Sequence, residues 1–272
     1  MKILKTTFRT IVIIILLLLP FVPITENFFA PETQIENQTF LKYILICLGI
    51  TAVGFGLISF AKKSNSKSGW LLFAIGFVAM IPLHLGQPRM GSDLLTFSSI
   101  EQFRYGILIF ATTLLFLVGL KIISPLKSVQ SKIFLGILII TTLINLWDNY
   151  TSFMLGSKLK NWISDGKNAD DFFAQFDFQI MWRTFARISL YITAIVLTYI
   201  SFKNSEIKKW QFALLSIFCL VGIVFCIMCL QTGFQNYYFP FMIPAIALAP
   251  SFWIGITLLG NKSGQEKLVE NG

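Results

Sequence analysis

Few side chains in this chain could do chemistry, and most of them stand alone. The one histidine, His84, lies in Ile81-Pro82-Leu83-His84-Leu85-Gly86-Gln87-Pro88-Arg89. An imidazole between two prolines, five residues from a guanidinium, can exchange protons near neutral pH or hydrogen-bond a carbonyl. Its plainer reading is a hydrated histidine in a turn at a membrane surface. Asp148 lies in Asn145-Leu146-Trp147-Asp148-Asn149-Tyr150, inside an otherwise apolar run. A carboxylate there costs free energy unless it is paired or hydrated. It would be a proton or cation site if it faces other helices. The spacing favours the alternative, a carboxylate at headgroup level beside Trp147 and Tyr150. Lys132 to Asp148 already covers about 24 Å at helical rise.

Acids gather between about 156 and 181, with Asp165, Asp170, Asp171 and Asp177. Metal–diphosphate chemistry would need acids four apart on helices and a second cluster like the first. Asn168-Ala169-Asp170-Asp171 reads better as a helix start, with Asn168 as cap and two acids in the positive first turn. Phe172, Phe173, Phe176 and Ile180 follow at helical spacing, which predicts an interfacial amphipathic helix near 169–181. Cys226-x-x-Cys229 is half a zinc site with no second pair. With Cys219 it fits one helix face of small apolar residues, and Cys47 stands apart. The sequence therefore assigns no metal and no catalytic residue. With one histidine and no Gly-x-Ser-x-Gly elbow, a Ser-His-Asp hydrolase is disfavoured.

His84-Leu85-Gly86-x-Pro88 resembles the His-Leu-Gly-x-Pro stretch in the eight-helix membrane anchors of dimethyl sulfoxide reductase and the related polysulfide and nitrite reductases. There the stretch ends a helix on the outer face and serves menaquinol oxidation. Ser98-Ser99-Ile100-Glu101 is similar to that family's later Ser- and Glu-containing segment, at shorter spacing. The resemblance covers about 40 residues. It implies that His84 accepts a quinol proton with Arg89 and Glu101 nearby, and that quinone is the cofactor. The motif ends the third apolar run here rather than the second, so the helix before Thr39 would be an addition.

The elements that must hold these groups are read from composition. The chain is 55% hydrophobic and 13% charged, with mean hydropathy +0.73. Soluble domains carry about twice that share of charge. Eight apolar runs predict helices near 10–27, 43–61, 68–86, 105–123, 133–154, 185–203, 210–230 and 239–259. Spanning takes about 20 residues. The charge-free stretch from Trp210 to Asn261 is divided in two by the polar segment Gln231–Asn236. Pro20, Pro23, Pro240, Pro244 and Pro250 interrupt the first and last helices.

The loops alternate in charge. One set holds 14 basic residues and three acids; the other holds 8 basic and 10 acidic residues. By the positive-inside rule the first set is cytoplasmic, with both termini. The net charge of +9 is thus a topology signal, and a nucleic-acid partner is disfavoured. The first run has no small-x-small site after it, which predicts an uncleaved helix; cleavage would leave seven.

The expectation is an all-α, eight-helix, single-domain protein of the bacterial cytoplasmic (inner) membrane, surrounded by lipid and open to a partner subunit or a second copy. Broken helices and Asp148 favour a non-catalytic, permease-like transport role for a small solute or ion. The alternatives are a quinone-interacting anchor subunit, carried by His84, Arg89 and Glu101, and a membrane-embedded enzyme acting on lipid.

Overall fold

The structure, a computed structural model, describes residues 2–21, 40–84, 98–124, 126, 129–168, 171–172, 177–232 and 239–261. Among these, all regular structure is helical: α1 (Lys2–Leu18), α2 (Phe40–Ala61), α3 (Lys67–His84), α4 (Ser98–Ile123), α5 (Val129–Phe153), α6 (Leu155–Ser164), α7 (Asp177–Lys203), α8 (Lys209–Thr232) and α9 (Pro244–Gly260). Single 3-10 turns, Leu19–Phe21 and Phe239–Met242, follow α1 and precede α9. Five helices (α2, α4, α5, most of α7, and α8) are long and apolar enough to cross a membrane. The apolar helices Thr6–Phe21, Lys67–Leu83 and Pro244–Gly260 are shorter. The chain is therefore an all-α membrane protein.

Local chemistry sets the helix ends. The Ser66 hydroxyl accepts the Gly69 N–H at 3.1 Å and caps α3. Gln211 reaches back from the first turn of α8 to the Lys208 N–H at 2.8 Å, one half of a capping box. α6 and α7 both end in a left-handed residue with paired return bonds, the Schellman arrangement. Gly166 supplies it after α6 at φ +74°, and Ser205 after α7 at φ +57°.

α9 is the hub. Fourteen of its residues are buried, as expected of a helix that is apolar all round. It lies against α3, α7 and α8. Gly255 lets α9 and α3 approach backbone to backbone: a Cβ there would stand 2.4 Å from the Phe73 nitrogen. Phe55, Trp70, Phe73, Phe77 and Phe252 interlock beside this contact. Pairs α3–α4, α4–α5, α5–α7 and α7–α8 complete the bundle. Outward faces are apolar, as on α5 (Ile133, Ile140, Leu143, Trp147) and α8 (Leu214, Ile217, Leu220, Val224). That suits contact with lipid.

The segments that carry Arg9, Lys62 and Lys63, and Lys203 to Lys209 meet at one end. Arg9 in α1 hydrogen-bonds the Ala61 and Lys62 carbonyls at the end of α2. Lys63 and Ser64 donate their N–H groups to the Leu259 carbonyl of α9. Asn261 donates to the Glu206 carbonyl between α7 and α8.

One stretch differs from the sequence expectation. The last run does not begin as α-helix at 239. It starts as a 3-10 turn, Ile243 is extended, and α9 opens at Pro244, which lacks an N–H and suits a first helical position. Of the segment 169–181, residues 169–170 and 173–176 lie outside the described residues. Asp171 is exposed, Phe172 is buried, and Asp177 already opens α7. A further amphipathic helix, α6, precedes that segment. Its Leu155 and Leu159 pack with Phe172 and Trp162, and the Trp162 indole N–H donates to the Asn168 carbonyl at 2.7 Å.

Candidate functional site

α5 carries Thr141, Asn145, Asp148, Asn149 and Ser152 at steps of three and four, a polar stripe on one face. All five are buried. Trp147 and Tyr150, on the other side of the helix, are more than half exposed. Asp148 is thus turned into the bundle, 2% exposed. The sequence set Asp148 beside Trp147 and Tyr150; in the structure it is buried on the opposite face, because depth along a helix can be counted in sequence but direction round it depends on packing.

The partners come from α7. Arg187 donates from Nη2 to Asp148 Oδ2 at 2.9 Å and lies within 3.4 Å of Asn145 Oδ1 through Nη1. Its Nε donates to the Met242 carbonyl at 3.0 Å. Arg183, one turn nearer the start of α7, places Nε 3.5 Å from Asp148 Oδ1 and donates to Ser152 Oγ at 2.9 Å. Asp148 is therefore held between two guanidiniums, one per carboxylate oxygen. Asp148 lies sixteen residues beyond Lys132, and Arg187 sixteen before Lys203. Each count is about 24 Å of helix, so the antiparallel helices bring both charges to one level. In a hydrocarbon layer about 30 Å thick, that level lies in the third away from the lysines.

A polar ladder continues below. The Asn145 amide donates to the Thr141 and Ala186 carbonyls and to Ser189 Oγ, at 2.8, 3.1 and 3.1 Å. Thr141 and Thr193 hydroxyls meet at 2.8 Å. Asn149 donates to Thr112 Oγ1 on α4 at 3.2 Å, while its Oδ1, also buried, has no partner.

The cluster also secures the break before α9. Backbone outside a regular helix is tolerated at membrane depth only where protein satisfies it. Arg187 takes the Met242 carbonyl, and the Tyr191 hydroxyl takes that of Phe241 at 3.1 Å. Cys226 Sγ lies 3.7 Å from the same Phe241 oxygen. All four cysteines are free and buried. Among the described residues no group of three His, Cys, Asp or Glu could hold a metal ion.

Glu101 is not brought to this site. Glu101 forms an ion pair with Arg104 on the next turn of α4, and Arg104 is buried with its Nε unpartnered. Glu101 lies eleven residues along α4 from Thr112, which contacts Asn149. That is about 16 Å. His84 is the last residue of α3, and Arg89 lies outside the described residues. Near that end the Tyr43 hydroxyl donates to the Pro82 carbonyl.

Sequence reasoning missed Arg183, Arg187, Asn145 and Asn149 as site residues, because Arg187 was read as flanking the sixth apolar run. Counting from the lysine ends could have found Arg187, since that count puts it level with Asp148. No protein-family model, curated protein or solved structure matches this chain.

Proposed function

We propose that this protein is a non-catalytic, permease-like protein of the bacterial inner membrane, spanning it eight times with both termini in the cytoplasm, and that its solute is a small anion. The eight-span reading adds α1, α3 and α9 to the five long helices. α3 and α9 are short for a bilayer, but they pack against each other inside the bundle. The gathering of basic segments at one end supports a cytoplasmic placement of that end.

One observation carries the anion reading: Asp148 faces two guanidiniums. Arginine does not deprotonate in proteins, so the cluster keeps one unit of positive charge. Arg187 is buried and donates to Asp148, Asn145 and Met242. Arg183 is 23% exposed, so it is the guanidinium a solute can reach. A cation would meet this net positive charge, which disfavours the cation-site reading of Asp148. Intramembrane charges commonly mark solute pathways, since an unbalanced one is costly there.

The test is flux into proteoliposomes of purified protein, with chloride, acetate and phosphate as probes. At least one should enter faster than into protein-free vesicles. Arg183→Gln should slow entry about tenfold, the weight of one charge-assisted contact, and Arg183→Lys should retain part of it. No flux of any probe, or equal flux through Arg183→Gln, refutes the reading.

A second reading, the quinone-interacting anchor subunit, draws support from the end of α3. There the Tyr43 hydroxyl fixes the Pro82 carbonyl two residues before His84, and Glu101 is paired with Arg104. Binding of a menaquinol analogue that His84→Ala weakens would favour it over the permease.

A further inference from the structure

A cavity of about 660 Å³ opens between α1, α8 and α9. Its walls are apolar, including Leu17 from α1 and Phe21 from the turn after it, Leu214 and Val221 from α8, and Trp253 and Ile256 from α9. Two polar groups on the α9 side are already engaged: the Trp253 indole N–H donates to the Leu17 carbonyl at 3.1 Å, and the Thr257 hydroxyl to the Ile254 carbonyl at 2.8 Å. Leu214 is 63% exposed and Val221 39%. The groove therefore faces outward, toward lipid in a membrane protein.

Its polar end is at the basic end of the bundle, where Lys208, Gln211 and Asn261 line it. The two amides are joined: Asn261 Nδ2 donates to Gln211 Oε1 and to the Glu206 carbonyl, each at 3.1 Å. The Lys208 ammonium has no carboxylate partner among the described residues. Lys203 and Lys209 flank it against the single acid Glu206. Lys208 to Val221 is about 20 Å of helix, longer than half of a hydrocarbon core about 30 Å thick. An apolar slot as long as one leaflet, with a cation at its interfacial end, has the chemistry of one kind of ligand.

We propose that this groove binds one acyl chain of an anionic phospholipid, with the headgroup phosphate against Lys208. Basic pockets between membrane helices hold anionic headgroups for this reason, while the chain is held by packing along the apolar walls. The proposal is independent of the anion-permease reading, because no residue of the groove belongs to the Asp148 cluster.

The experiment is native mass spectrometry of the full-length protein, stripped of lipid in mild detergent. It is then titrated with phosphatidylglycerol or phosphatidylcholine of identical chains. Wild type should retain one phosphatidylglycerol about fivefold better than phosphatidylcholine, the weight of one basic residue beside an anionic surface. Lys208→Gln, at an exposed position that leaves folding intact, should abolish that preference while still retaining either lipid. Val221→Trp, which fills the groove, should reduce retention of both. Equal retention of the two lipids by wild type, or an unchanged preference in Lys208→Gln, overturns the proposal. So does a dimer that excludes lipid, which would mean a second copy occupies the groove.

Discussion

Asp148→Asn isolates the charge balance of the buried cluster. Asparagine keeps the shape and one acceptor oxygen, so hydrogen bonding to Arg187 can persist in part. The negative charge is lost. Arg187, 2% exposed, is then left with neutral oxygens alone, and Arg183 loses its carboxylate as well. Removing one partner of a buried ion pair typically costs about 3–5 kcal/mol, because the remaining charge is uncompensated. The retained acceptor places the expectation near the lower figure. At roughly 2–4 °C per kcal/mol for chains of this size, thermal unfolding should fall by about 6–12 °C. The assay is helix loss on heating in detergent at one fixed scan rate, since membrane-protein unfolding is commonly irreversible. Asp165→Asn is the control. Its carboxylate lies 3.8 Å from Lys167 with both side chains more than half exposed, and such pairs contribute about 0–1 kcal/mol. The double variant Asp148→Asn/Arg187→Gln should lose less than the two single losses added, by about 0.5–3 kcal/mol, since both act on one contact. If Asp148→Asn shifts unfolding no more than the control does, the cluster is not held by charge pairing and the reasoning fails.

Three further expectations rest on other parts of the bundle. Gly255→Val should destabilise the protein by about 1–3 kcal/mol or prevent folding, because the new side chain meets the Phe73 backbone, whereas Gly136→Ala, with nothing within 4 Å, should be neutral or stabilising; equal unfolding temperatures would refute the close α3–α9 contact. Ser205→Gly should raise stability by roughly 1 kcal/mol, since glycine carries no Cβ penalty at φ +57°, and a lower unfolding temperature would contradict that backbone geometry. For topology, cysteines introduced at Lys62 and Lys203 should react with a membrane-impermeant thiol reagent only from the cytoplasmic side, and one at Asp165 only from the outside; labelling of Asp165→Cys and Lys62→Cys from one side would sink the eight-span arrangement.

What could be read from the sequence is what depends on composition and order along the chain. Long charge-free runs demand helices, because in lipid every backbone polar group must be satisfied internally. The all-α membrane class follows, and so does the gathering of Arg9, Lys62, Lys63 and Lys203 at one end, since consecutive spanning helices alternate in direction. Depth is legible too: sixteen residues from a lysine put Asp148 and Arg187 at one level. Azimuth is not legible, because it is set by which face of a helix finds a complementary neighbour. Only the packed bundle turned Asp148 inward and Trp147 outward, and only it set Arg183 and Arg187 against one carboxylate. The break at Phe239–Met242 was signalled by its prolines. That its carbonyls are satisfied by Arg187 and Tyr191 was decided in three dimensions, because those donors lie some fifty residues away in the chain. The groove beside Lys208 is likewise a property of no single helix: it exists because α1, α8 and α9 meet along one side and leave a channel between them.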